Sequence, residues 1–205
     1  MRPALAVILL GVALVAAPSM QSRESERTSD SMERPFVGGG DIQMNLSAGE
    51  YRIVGTNTNT VRLQWTVRDP AQLWRVKARA DIRGSRATIE TDGPNHGGMH
   101  AEIQVPARSN LDIRLSAGEI LIEGIEGNKD VDLYAGEVNV DVGRSTDYRR
   151  VDASVWAGEI DAPAFSASKG GLFRSLDWNG TGQYSLRVSL WAGEVRLYST
   201  STSAR

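Results

Sequence analysis

The sequence predicts an all-β chain, a single-domain β-solenoid of short strands with Ala-Gly-Glu corners, and three observations carry that prediction. The tripeptide Ala-Gly-Glu occurs five times in 205 residues, ending at Glu50, Glu119, Glu137, Glu159 and Glu194. Apolar and polar residues alternate on both sides of the copies, as in VDLYAGEVNVDV and LRVSLWAGEVRLY, which is the signature of half-buried strands. Glu119, Glu137, Glu159 and Glu194 are separated by 18, 22 and 35 residues, a period near twenty that suits one rung per repeat.

Taken in order, the chain opens with Met1-Arg2-Pro3 and the apolar run from Ala4 to Ala17, closed by Pro18-Ser19. A run this short behind a basic start reads as a signal peptide over residues 1–19, since a membrane span wants about 20 apolar residues. If uncleaved, residues 4–17 would serve as the sole contact with a membrane. Residues 20–35 mix charges with Ser and Thr around Met32 and read as a disordered linker. The solenoid domain is expected over residues 36–199, with a tail at 200–205. Its first half holds strand-like runs at Val61–Val67, Leu73–Ile82, Ala87–Thr91 and His100–Val105 that lack the tripeptide.

The repeat contains a parity break. Val131, Leu133 and Ala135 alternate toward one face, and Val138, Val140 and Val142 do the same, yet Ala135 and Val138 are an odd step apart. A continuous strand keeps one face only at even steps, so one residue must be absorbed at Gly136-Glu137. Glycine is the residue that a bend with positive φ or a close backbone approach requires. The stretch around Lys169-Gly170-Gly171-Leu172-Phe173 is long enough to form one degenerate rung.

FVGGGDIQMNLSAGEYRIVG, IQVPARSNLDIRLSAGEILIEGIEG and GGLFRSLDWNGTGQYSLRVSLWAGEVRL resemble the bacterial putative adhesin, or toast-rack, family, whose members repeat a small-Gly-Asp/Glu corner between short strands. The resemblance covers roughly residues 36 to 199. It implies an exported or membrane-tethered β-solenoid-like domain, periplasmic or at the cell surface, and supplies no catalytic residues. This chain prefers Glu to Asp after the glycine.

Composition narrows the chemistry. A net charge of −2 argues against a nucleic-acid partner, and zero Cys excludes disulfides, thiolate catalysis and sulfur-bound zinc. His96 and His100 are the only His residues; Pro94 and Gly97-Gly98 make them a turn rather than a helical metal pair. No metal site is expected there.

Stacking the copies in register creates two outward columns. Tyr134, Trp156 and Trp191 precede three of the alanines, where Ser47 and Ser116 stand in the other two copies. These rings are binding-face candidates for a surface glycan or an envelope protein, or else pack beneath the Leu172-Phe173 segment. Glu50, Glu119, Glu137, Glu159 and Glu194 form an acidic column, where like charges one strand apart repel by roughly 1 kcal/mol per pair in water. Arg114, Arg187 and Arg196, corner N–H groups or a bound cation would offset that repulsion. Calcium suits the hard oxygens, although the Gly-Gly-x-Gly-x-Asp nonapeptide is missing.

The expected function is an exported, non-enzymatic module for adhesion, envelope scaffolding or partner binding, with no cofactor. The alternatives are a carbohydrate-active β-helix enzyme and a cation-stabilised structural module. An acid–base pair needs two different environments to split its pKa values, and a repeat gives every Glu the same one. Asp132, Asp161 and Asp177 are non-equivalent acids with nothing in the sequence to gather them.

Overall fold

The computed structural model describes residues 29–93 and 98–200. Its strands are β1 (Ser29–Pro35), β2 (Asp41–Leu46), β3 (Gly49–Thr56), β4 (Thr60–Val67), β5 (Lys77–Arg83), β6 (Arg86–Asp92), β7 (Met99–Pro106), β8 (Asn110–Glu123), β9 (Lys129–Asp141), β10 (Tyr148–Ala162), β11 (Ala167–Asn179) and β12 (Tyr184–Tyr198). They belong to one open sheet whose main path runs β1-β4-β7-β3-β8-β9-β12-β10-β11. The all-β expectation holds. The signal segment, the linker before Ser29, His96 and residues 201–205 lie outside the described residues.

The five tripeptides meet in one parallel ladder. Gly49 pairs with Gly118, Gly118 with Gly136, Gly136 with Gly193, and Gly193 with Gly158. In the first copy the strand is broken: β2 pairs with the front half of β8 and β3 with its rear half, so β2 and β3 together match one long strand. Leu133 and Val138 are both buried although five residues apart, so the face switches across Ala135-Gly136-Glu137. Gly118, Gly136, Gly193 and Gly158 have φ of 127°, 135°, 136° and 145°, where a side chain is strained. A Cβ on any of them would also overlap the carbonyl oxygen of the neighbouring copy's glycine. Both causes demand glycine, and they act at the same residue.

Two features depart from the sequence order. The strand holding Trp191, β12, lies between β9 and β10, so the stacked order of the copies is 48, 117, 135, 192 and 157. The Lys169–Phe173 stretch is no further rung in the stack's direction. It belongs to β11, which runs antiparallel to β10 and pairs Gly171 with Gly158. The end strand reverses because the chain turns back at Pro163–Phe165, a single 3-10 turn too short for a parallel crossover.

Two corrections fall in the first half. Residues 29–35, expected in the disordered linker, form β1 antiparallel to β4. Backbone pairing, the half-buried Met32 and an ion pair between Arg62 and Glu33 at 2.6 Å hold a segment with little apolar surface of its own. The Leu73–Ile82 run divides into a 3-10 helix, Pro70–Arg75, and β5. Asp69 caps that helix by accepting from the Ala71 N–H at 3.0 Å, and Pro70 suits its first turn.

The inward residues of both strand halves fill one core, including Ile42, Met44, Ile53, Ile113, Ile120, Val131, Val138, Val151, Ile160, Val188 and Val195. Each buried aliphatic side chain contributes about 1.5–3 kcal/mol. That core fixes which face turns outward, and with it the candidate site.

Candidate aromatic binding face

Because inward positions are taken by Leu46, Leu115, Leu133, Leu190 and Val155, the next residue in each copy points out. Those residues are Ser47, Ser116, Tyr134, Trp191 and Trp156, in stacking order. The structure therefore brings all three predicted aromatics together. Tyr134 and Trp191 stand 6.1 Å apart between centroids with planes 3° apart, and Trp191 and Trp156 stand 4.3 Å apart with planes 2° apart. They remain exposed, at 65% for Tyr134, 46% for Trp191 and 40% for Trp156.

A fourth ring was missed as a site residue. Phe173 meets Trp156 edge-on at 5.4 Å and 82°. It does not cover the column, being itself 71% exposed. Its backbone lies in the left-handed region at φ 55°, which is uncommon for a bulky residue and costs about 1–2 kcal/mol. Its place follows from the Val155–Arg174 and Ala157–Leu172 register of β10 and β11, which no repeat signals.

The ladder lines a groove of about 1010 Å³, with Arg114, Asp132, Ser116, Ser154 and Ser189 among its polar neighbours. The rings' faces are largely spent on one another, so the row presents mostly ring edges outward. At the Phe173 end an edge closes the stack; at the Tyr134 end the next positions are serines.

The acidic column also forms. Glu50, Glu119, Glu137, Glu194 and Glu159 are in register. Glu50 lies 2.7 Å from His100 Nδ1, Glu119 accepts from Asn139 Nδ2 at 3.3 Å, and Glu194 accepts from Arg196 at 2.6 Å. Arg196 also approaches Asp161 at 3.6 Å. Arg114, expected to relieve this column, instead faces Asp112 at 3.7 Å on the aromatic side. Glu137 and Glu159 have no ion pair or side-chain hydrogen bond among the described residues. No group of three or more His, Cys, Asp or Glu placed to hold a metal ion occurs among the described residues. Of the non-equivalent acids, Asp132 lines the groove and Asp177 lies 3.7 Å from Arg150, so they are not gathered.

One ionisable pair is buried away from both columns. Lys129 donates to Tyr148 Oη at 2.7 Å and to the Gly127 carbonyl at 3.2 Å. The hydroxyl contact accounts for the 5.1 Å from ammonium to ring centroid, so this is a hydrogen bond rather than a cation over the ring face. Burial pulls Lys129 down to about 8 and pushes the Tyr148 hydroxyl up. Asp130, next along β9, is raised by burial and then by Asp132.

The comparisons with known proteins concern the fold. No family model matches the chain, and no curated protein matches it in sequence. Among solved structures, a putative cell adhesion protein from Clostridium sporogenes matches with a TM-score of 0.54 at 13% identity, over 82% of this chain and 98% of that one. A putative adhesin from Parabacteroides merdae matches with a TM-score of 0.32 at 9% identity, over 84% and 82%. A putative lipid binding protein from Parabacteroides distasonis matches with a TM-score of 0.27 at 10% identity, over 83% and 97%. The chain shares the fold of the clostridial protein.

Proposed function

We propose that the chain is an exported, non-enzymatic β-solenoid module for adhesion or partner binding, periplasmic or at the cell surface, and that its contact face is the Tyr134–Trp191–Trp156–Phe173 groove. The Ala-Gly-Glu units act as its corners, since four of the five join two inward-packing strand halves through a positive-φ glycine. The carrying observation is the exposed ladder itself. Monomeric proteins rarely leave large contiguous apolar patches on show without a partner, and this chain leaves four aromatic rings along one groove. Aromatic anchors in a groove with a polar rim are what contact energy concentrates on. The apolar run of residues 4–17 supports export.

The test is attachment to bacterial surfaces or envelope extracts by the full chain, its Trp156→Ala/Trp191→Ala variant, and a variant changed at Trp74, an exposed ring outside the face. Loss of attachment in the double variant alone, with far-UV circular dichroism unchanged, is the expected result. Retained attachment, or a double variant that unfolds, overturns the assignment of the face.

A further inference from the structure

Within the parallel stack Trp191 has a ring on both sides and Trp156 has Trp191 on one side and Phe173 on the other, so the broad face that the stack itself leaves open is the side of Tyr134 turned away from Trp191. Next to it the ladder position belongs to Ser116, and the one after to Ser47. Ring faces in contact stand about 3.5–4 Å apart, and neighbouring strands about 4.7–4.9 Å. A ring laid on Tyr134 therefore sits over Ser116, in the space a Trp occupies elsewhere in the ladder. The floor beyond it is fixed: the Ser47 N–H donates to Thr91 Oγ1 at 3.1 Å, and Tyr51 Oη donates to the Ser47 carbonyl at 2.9 Å.

The rim of this space is polar. Arg114 and Asp132 occupy partnered positions on β8 and β9 and both line the groove, together with Asn45. An aryl ring entering there would strip water from those groups without replacing it, which is costly. A sugar ring offers C–H bonds to the Tyr134 face and hydroxyls to the rim. Arg114 lies 3.7 Å from Asp112 and stands beside Asp132, and Arg174 lines the same groove, so two guanidinium charges offset two carboxylates and the groove suits a neutral ligand.

Resting on the reading of this groove as the contact face, we propose that it takes one neutral pyranose ring, stacked on Tyr134 over Ser116 and hydrogen-bonded by Asp132 and Arg114. The face then reads a surface glycan one sugar at a time at the Tyr134 end, while the ring edges of Trp191 and Trp156 extend the contact.

Saturation-transfer NMR on the full chain tests it, with methyl β-glucopyranoside and methyl β-galactopyranoside as probes and phenol as the aryl competitor. Transfer to the sugar C–H protons of at least one glycoside is expected, with affinity falling about tenfold in Tyr134→Ala. Ser116→Trp fills the position with the ring found at 191 and is expected to abolish transfer, while Trp74→Ala retains it. Transfer to phenol alone, transfer unchanged by Ser116→Trp, or no transfer to either glycoside overturns the proposal. If surface attachment is lost in Trp156→Ala/Trp191→Ala while no glycoside binds, the contact face stands and the sugar assignment falls.

Discussion

Trp156 and Trp191 stack with centroids 4.3 Å apart and planes 2° from parallel, although β11 intervenes between them in the chain. The contact exists because β12 inserts between β9 and β10 with Ala157 opposite Ala192. Two indoles this close couple their electronic transitions. Near-UV circular dichroism should therefore show a strong tryptophan signal that disappears in either single Trp→Ala variant. An aromatic pair contributes about 0.5–1.5 kcal/mol beyond its buried area, so each variant should lose at least about that much in urea denaturation. Two variants whose spectra match the parent would show that the stack does not form in solution.

The positive-φ glycines of the Ala-Gly-Glu units should be unequal to the other positive-φ glycines. Gly136 has φ 135° and no room for a Cβ, whereas Gly143 has φ 64° with open space around it. Gly143→Ala meets only the left-handed backbone cost, about 1–2 kcal/mol. Gly136→Ala must in addition push two strands apart and should cost more than 4 kcal/mol or prevent folding, as the largest single-residue effects do. Equal losses at the two positions would mean that the strands do not approach closely at the tripeptide.

The parity break was legible because Val131 to Val142 state it directly: an odd step between two alternating runs requires an absorbed residue. The stacking order was not legible. Leu133, Val155 and Leu190 are interchangeable neighbours in an apolar column, so nothing local tells β9 to pair with β12 rather than β10. For β1, Ser29–Pro35 lacks the apolar alternation that marks a strand, and β4's free edge supplies the hydrogen bonds instead. Phe173 escaped because its strand runs antiparallel, so its ring joins the ladder from outside the repeat. The three aromatics were found because position relative to Ala-Gly-Glu alone places them.

The acidic column should be a mild burden at the two positions without a partner. Glu137 and Glu159 flank Glu194 in the ladder. Replacing either by Gln removes a like-charge neighbour and should raise stability by up to about 0.5 kcal/mol at low salt, with the gain vanishing near 1 M salt. Glu194→Gln should not help, since Arg196 already donates to it at 2.6 Å. Millimolar calcium that stabilises the parent but not Glu137→Gln/Glu159→Gln would instead assign a cation to this column.

The buried Lys129 should tie stability to pH in a direction opposite to that of a surface lysine. Burial lowers it from 10.5 to about 8, so between those values the unfolded chain holds a proton that the folded chain has released. The unfolded state binds more protons, so stability rises with pH, by about 1.4 kcal/mol per unit once pH exceeds 8. Below pH 8 both states are protonated and the contribution is flat. Tyr148 acts the other way: burial raises it above its ordinary 10.0, so the folded state keeps that proton and stability falls with pH above 10. Measurements between pH 7 and 9.5 isolate the lysine. Lys129→Met removes the ammonium while keeping a flexible side chain, and the difference in unfolding free energy, parent minus variant, should rise by about 2 kcal/mol from pH 8 to 9.5. A difference that stays level across this range would mean that Lys129 reaches water and that its contact with Tyr148 Oη is not held.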